Sequence, residues 1–245
     1  MSKALKLLFI RHAQSMGNVE KRMQGHGDFE LSAIGRQQAD KLGKYLISES
    51  WKPSYVYSSP LKRAAQTAEI LLSHVQSSHL PATVSDLIDS EEAAIEDDRD
   101  QKKISIEYAE ELKEFQNGIF QGLTWAEAQS RYPDLCRKLE SSPDWIAIPE
   151  AETLDDARTR SRHFIDRIIA RHRNGDNLWI VSHSWILQHL IAELLGSNRS
   201  WRLRAHNTAL FEFWIDRSRW NLQNQNRFNT DLWQIRRFND SRHLH

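Results

Sequence analysis

Apolar residues in this chain fall into short runs, separated by longer stretches in which they recur at helical spacing. The first run, Leu5 to Ile10, predicts a buried strand and is followed at once by Arg11, His12 and a polar loop holding Gly17, Gly25 and Gly27. Ser32 predicts the N-cap of a helix with apolar positions Ile34, Ala39, Leu42, Tyr45 and Leu46. "SYVYSS" (54–59) predicts a strand that runs into a helix in "PLKRAAQTAEILL", with Ser59 as its cap and Pro60 at its first position. "ATVSDLI" predicts a further strand. Thr124 and Glu127 have capping-box spacing ahead of a short helix that should end near Pro133. Thr153 predicts the cap of a helix reaching about His172, closed by Asn174-Gly175. "NLWIV" reads as a strand and "WILQHLIAELL" as a helix. "ALFEFWID" alternates as an antiparallel or edge strand would, and "DLWQIRRF" reads as the last strand.

Strands alternating with helices imply an α/β three-layer sandwich, a mostly parallel central sheet with helices on both faces. Ligands in such sheets bind beyond the carboxyl ends of the strands. His12 and His183 each follow a predicted strand closely, so both are expected on that rim although they are far apart in sequence.

Composition narrows the partners. Of 245 residues, 40% are hydrophobic and 27% charged, and the 33 basic and 33 acidic side chains cancel. No global charge points to nucleic acid or an anionic membrane, and no apolar run is long enough to span a bilayer. The single cysteine, Cys136, cannot form an internal disulfide and fits a reducing compartment. With no leader-like h-region and cleavage site at the N-terminus, a cytoplasmic protein is expected. No repeat or linker divides residues 1–245, so one domain is expected, with an acidic insertion at about 89–110 forming a lid or flank. Taken alone, its acidic run reads as a solvated loop. The Trp- and Arg-rich tail could suggest stacking on single-stranded nucleic acid. Its alternation, with Leu210, Glu212 and Trp214 on one face and Phe211, Phe213 and Ile215 on the other, favours core packing instead.

The rim has a chemistry of its own. Arg11 flanks His12, and Arg63 falls in the first turn of a helix, where orphan N–H groups already favour an anion. Two guanidinium groups, two imidazoles and a helix start make a seat for a phosphate dianion. A neutral imidazole there can attack phosphorus, provided that a carboxylic acid of raised pKa protonates the departing alkoxide.

The residues at this point carry a resemblance. "LLFIRHAQSMGN" resembles the opening motif of the histidine phosphatase, or phosphoglycerate mutase-like, superfamily. "DFELSAIGRQQADKLGKYL", "VYSSPLKRAAQTAEIL", "ELKEFQNGIFQGLT" and "IVSHSW" resemble its later motifs in order, and "HNTALFEF" and "FNDSRHL" its closing segments. The resemblance implies that His12 is the nucleophile and Glu114 the proton donor. Arg11, Arg63, His183 and Asn18 would bind the phosphoryl group, helped by the Ser184 backbone. Gln24 and Gly25 are weaker candidates for substrate contact. Neither a metal nor any other cofactor is implied. The remaining histidines, His26, His74 and His79 among them, read as surface residues.

This chain has Ser184-Trp185 where relatives often carry Gly-Gly, which puts bulk beside the pocket. It also lacks the Arg-His-Tyr run that follows the acid in glycolytic mutases. The expectation is therefore a phosphomonoesterase acting on a small phosphorylated metabolite or sugar acid. A primer-dependent phosphoglycerate mutase is the alternative, and a non-catalytic binding protein on the same fold a more distant one. Substrate choice and oligomeric state are set by features outside these motifs.

Overall fold

The computed structural model describes residues 4–77, 104–220 and 228–245. In chain order the strands and helices are β1 (Leu5–Arg11), α1 (Met16–Val19), α2 (Ala33–Ser48), β2 (Tyr55–Ser58), α3 (Lys62–Ser77) and β3 (Ile106–Tyr108). There follow α4 (Trp125–Arg131), α5 (Pro133–Ser141), α6 (Leu154–Arg171), β4 (Asn177–Ser182), α7 (Ser184–Leu194), β5 (Leu210–Ile215) and β6 (Trp233–Asp240). The six strands form one sheet in the order β3-β2-β4-β1-β5-β6. The pairs among β3, β2, β4 and β1 are parallel, whereas β5 and β6 are antiparallel additions.

Both faces of the sheet are covered, which is why β1 and β4 carry continuous apolar runs at residues 7–10 and 178–181 instead of alternating. Leu5, Leu7 and Phe9 of β1 pack with Ile180, Phe164 and Ile168 of α6 and Leu187 and Leu190 of α7. On the other face, Leu8 and Ile10 pack with Val181, Leu42 and Leu46 of α2 and Ala64, Ala68 and Leu71 of α3. A smaller cluster of Phe120, Leu123, Ala128 and Cys136 ties α4 and α5 together beside the main sheet.

Capping behaves as the side chains dictate. Ser32, Thr124 and Thr153 each accept a hydrogen bond from the third helical N–H of α2, α4 and α6, with reciprocal capping boxes at Thr124 and Thr153. Ser59 is different. Helix α3 starts at Lys62, and Pro60 lies outside it; the Ser59 hydroxyl accepts from the Leu61 N–H at 3.3 Å and meets His183 Nε2 at 2.8 Å. Pro133 ends nothing beyond α4; it opens α5 as an N-terminal proline. Ile34 is not on the buried face of α2 but exposed.

The edge strand is β6, so β5, which the alternation left as antiparallel or edge, is an internal antiparallel strand. Strand β3 lies inside the segment read as an acidic insertion and adds a parallel edge beyond β2. "ATVSDLI", His79 and the acidic run from Glu91 to Asp100 fall outside the described residues.

Two histidines read as surface are instead buried. His172 accepts or donates at 2.8 Å with the Tyr57 hydroxyl and faces Asp176 on its other side, while His189 lies on the buried face of α7 with its Nδ1 bonded to Ser200 at 2.9 Å. His26 and His74 are half-buried, bonded to the Glu114 carbonyl and the Asp40 carboxylate. Apolar periodicity carries no information about a polar ring that buries itself by finding such partners. No helix among the described residues is long and apolar enough to cross a membrane.

Candidate active site

Strand register assembles the site. Arg11 pairs with Ser182 across β1 and β4, and Ser58 with Val181 across β2 and β4. The chains leave the sheet side by side: the His12 N–H donates to the Ser182 carbonyl at 2.9 Å, and the Ser59 N–H to the Val181 carbonyl at 3.0 Å. His12 and His183 therefore meet, with ring centroids 5.0 Å apart. Helix α3 places Arg63 beside them.

The tautomers follow from the partners. The Ala13 carbonyl, 2.7 Å from His12 Nδ1, can only accept, so Nδ1 carries the proton and Nε2 keeps its lone pair. The ring is held neutral: burial, followed by the charges of Arg63 and Arg11, pushes its pKa well below 6.5. His183 is likewise held neutral, by burial first and Arg63 next. Its Nδ1 accepts from Arg63 Nε at 3.2 Å, which leaves the proton on Nε2 facing Ser59. His183 thus supports Arg63 from behind.

The guanidinium groups are buried without carboxylate partners among the described residues. Arg63 donates to the carbonyls of Gly27 and Gly25 at 2.7 and 2.8 Å, and burial lowers its pKa to about 10. Arg11 donates to the Ala205 carbonyl at 2.6 Å, while its buried Nε has no hydrogen-bond partner. Burial lowers its pKa too. Two desolvated cations with no ion pair among the described residues, offset only by the more distant charges of Glu114 and Asp28, create a site that an anion stabilises.

Glu114 faces them across the cleft. Its carboxyl accepts from the backbone N–H groups of Trp185 and Ile186 at 3.1–3.3 Å, and from its own neighbour Phe115 at 2.9 Å. The start of α7 therefore holds the carboxyl group, and the Ser184 hydroxyl lies 3.4 Å from it.

A cleft of about 400 Å³ is lined by Arg11, His12, Asn18, Gln24, Gly25, Arg63, Glu114 and Ser184, so the structure brings eight of the nine sequence-chosen residues to one surface. His183, the ninth, is fully buried against His12 and Arg63. Asn18 has its Oδ1 engaged by Ser15 and by Asn207, and Gln24 accepts from the Ser15 hydroxyl at 2.7 Å.

Several supporting residues escape sequence reasoning. Asn207 donates to the His12 carbonyl at 3.1 Å, and Thr67 links the Ala13 N–H to the Arg63 carbonyl. Asn207 lies in "HNTALFEF" and Thr67 in "RAAQT", both inside segments already singled out, but neither residue type announces a role. The apolar wall of Phe115, Trp145 and Trp185 had only Trp185 as a forewarning.

An α/β sheet bearing paired histidines and unpaired arginines at its carboxyl rim defines a phosphate-handling protein of the phosphoglycerate mutase-like fold. The sequence profile of the histidine phosphatase superfamily (branch 1) matches residues 7–96 and 92–227, and the chain belongs to that superfamily. It is 28% identical over 240 residues to phosphoglycerate mutase-like protein 4 of Arabidopsis thaliana, covering 98% of this chain and 86% of that one. It is 27% identical over 196 residues to phosphoserine phosphatase 1 of Hydrogenobacter thermophilus, covering 80% and 79%. Among solved structures it resembles YhfR of Bacillus stearothermophilus, with a TM-score of 0.72 at 24% identity over 99% of this chain and 100% of that one.

Proposed function

We propose that this protein is a phosphomonoesterase that hydrolyses a small phosphorylated metabolite through a phosphohistidine on His12. The observation that carries the reading is the His12 ring itself. It is neutral, its Nδ1 proton is fixed on the Ala13 carbonyl, and its Nε2 lone pair lies in a cleft with two unpaired guanidinium groups. A phosphate dianion would recover the electrostatic cost of burying Arg11 and Arg63 and satisfy the unpartnered Arg11 Nε. Nε2 attacks phosphorus, the P–O bond to the alcohol breaks, and Glu114 delivers a proton to the departing oxygen. Water then attacks the phosphohistidine, Glu114 takes its proton, and inorganic phosphate leaves.

Discharge to water is favoured over transfer to a phosphoglycerate. Arg22, the remaining cation lining the cleft among the described residues, already has its charge matched by Glu20 and Glu127, which weakens it as a partner for a substrate carboxylate. The test is phosphate release from p-nitrophenyl phosphate and from 3-phosphoglycerate, each with and without 2,3-bisphosphoglycerate, with His12→Ala as control. Release that needs no primer and vanishes in the variant is the expected result. Interconversion of phosphoglycerates that depends on the primer would make the protein a mutase.

A further inference from the structure

We propose that the leaving-group side of the cleft selects phosphomonoesters whose alcohol carries a flat aromatic ring. The inference rests on the phosphomonoesterase reading and adds the class of substrate.

The position of Glu114 fixes where the alcohol must lie. A proton donor has to sit within hydrogen-bond reach of the oxygen that departs, so the group attached to that oxygen lies beside whatever surrounds the Glu114 carboxyl. Aromatic residues line the same cleft as Glu114. Phe115 follows Glu114 in the chain, and Trp185 gives its backbone N–H to the Glu114 carboxyl. Trp145 completes the group, and all three residues line the cleft.

The rings make a wall, not a cage. Phe115 and Trp185 lie 5.3 Å apart between centroids, and Trp145 stands 6.0 Å from each of them. At these separations the rings touch one another, so no cation such as a quaternary ammonium fits between them. Phe115 is the buried member of the wall, whereas Trp145 and Trp185 keep 48% and 42% of their surfaces exposed. Core packing would have covered them. Two indoles left half-open beside a reaction centre are a surface awaiting an apolar partner. A flat ring fits best, because offset or edge-to-face contacts are what such faces offer.

The same cleft is unsuited to a sugar acid or to phosphoserine. Its unpaired cations, Arg11 and Arg63, are taken by the phosphoryl group, and Arg22 is held by two carboxylates. A carboxylate on the alcohol would meet Trp185 and Trp145 with no cation among the described lining residues whose charge is not already matched, and desolvating it there is costly.

The experiment compares benzyl phosphate, ethyl phosphate and phosphoserine, which all leave as primary alcohols, so that differences report binding and not leaving-group chemistry. The expected kcat/KM for benzyl phosphate exceeds the other two by about tenfold or more, the range of one well-made ring stack. Trp145→Ala should lower the benzyl-to-ethyl ratio by about tenfold, and Trp145→Phe should preserve most of it. In parallel, calorimetry compares benzylphosphonate with ethylphosphonate, neither of which can be hydrolysed. Turnover with no ring preference, or a preference that survives both Trp145→Ala and Trp185→Ala, would overturn the aromatic wall and leave the phosphatase reading standing. Tighter binding of benzylphosphonate with no turnover of any ester would support the wall and overturn the phosphatase reading.

Discussion

Arg160 holds Glu114 by its main chain. Its Nη2 donates to the Glu114 carbonyl at 3.3 Å, and its Nη1 to the carbonyls of Glu111 and Lys113 at 2.6 and 2.7 Å. The guanidinium is locked in turn by Glu152, whose Oε2 lies 2.9 Å from Nη2 and also accepts from the Gln116 N–H. One side chain from the middle of α6 thus gathers both ends of the loop that presents the proposed acid, with Trp185 and Ile186 steadying the carboxyl from the other side.

Arg160 is therefore a positioning residue. Arg160→Ala is expected to lower kcat for an alkyl phosphate by about 10- to 100-fold, with KM changed much less, because the proposed phosphate seat at Arg11 and Arg63 is untouched. A purely structural role would lower the melting temperature without separating kcat from KM. Arg160→Lys should recover little, since an ammonium cannot hold the three carbonyls and the carboxylate that the fork does.

Glu114→Gln isolates proton transfer. The amide keeps the shape of the side chain but has no acidic proton, and kcat for an alkyl phosphate should fall by about 10²- to 10⁴-fold. With p-nitrophenyl phosphate, whose phenolate leaves without protonation, the loss in the phosphorylation step should be far smaller. Stopped-flow measurement of nitrophenolate release in the first turnover checks this; equal losses for both esters would remove Glu114 from the acid's role.

The sheet and the gathering of His12, His183, Arg11 and Arg63 at its rim were legible in the chain because they depend on local signals. Apolar runs of strand length, Ser and Thr caps, and a histidine directly after each of two strands are written in consecutive residues, and parallel register converts them into one rim. What escaped depends on long-range partners. Arg160 looks like any exposed helical arginine until residues 111–114 fold across it, and His172 and His189 look like surface histidines until Tyr57 and Ser200 meet them. The second role of Ser59 was hidden for the same reason: its hydroxyl meets a distant imidazole, His183, as well as the Leu61 N–H ahead of the helix. Strand β3 is three residues long and sits among charges, too little pattern for periodicity to register.

Gly35 tests how tightly the catalytic loop is packed. A Cβ there would fall inside the van der Waals sphere of the Gln14 carbonyl oxygen, which is backbone and cannot swing aside. Gln14 lies two residues beyond His12, and its N–H and carbonyl are already bonded to Gln38 and Ser32. Gly35→Ala is expected to cost about 2 kcal/mol or more in urea unfolding, within the range of an overpacked core site. Activity measured below the transition should also fall, because the strain is relieved by moving the loop that carries His12.

Acid should unfold the protein early. Burial is the main cause that lowers the pKa of His189 and of His243 from 6.5 to about 4, and it lowers those of His12, His183 and His172 as well. Below pH 6.5 the unfolded chain takes up protons that the folded one refuses, so stability falls as pH drops, and the contribution of His189 and His243 is spent near pH 4. Urea midpoints measured from pH 7.5 to 4 should decline through that window, and His189→Gln should flatten part of the slope. A midpoint constant down to pH 4.5 would contradict the burial of these rings as neutral groups.

The central claim is that His12 Nε2 takes the phosphoryl group. The most direct measurement is to mix the protein with excess benzyl phosphate, quench in alkali, where phosphohistidine survives, and read the intact mass and the modified peptide by mass spectrometry. The account predicts one added phosphoryl group, carried by His12, absent from His12→Asn, and lost on standing as inorganic phosphate appears. Turnover with no phosphorylated enzyme at any time, or a phosphoryl group on another residue, would contradict it.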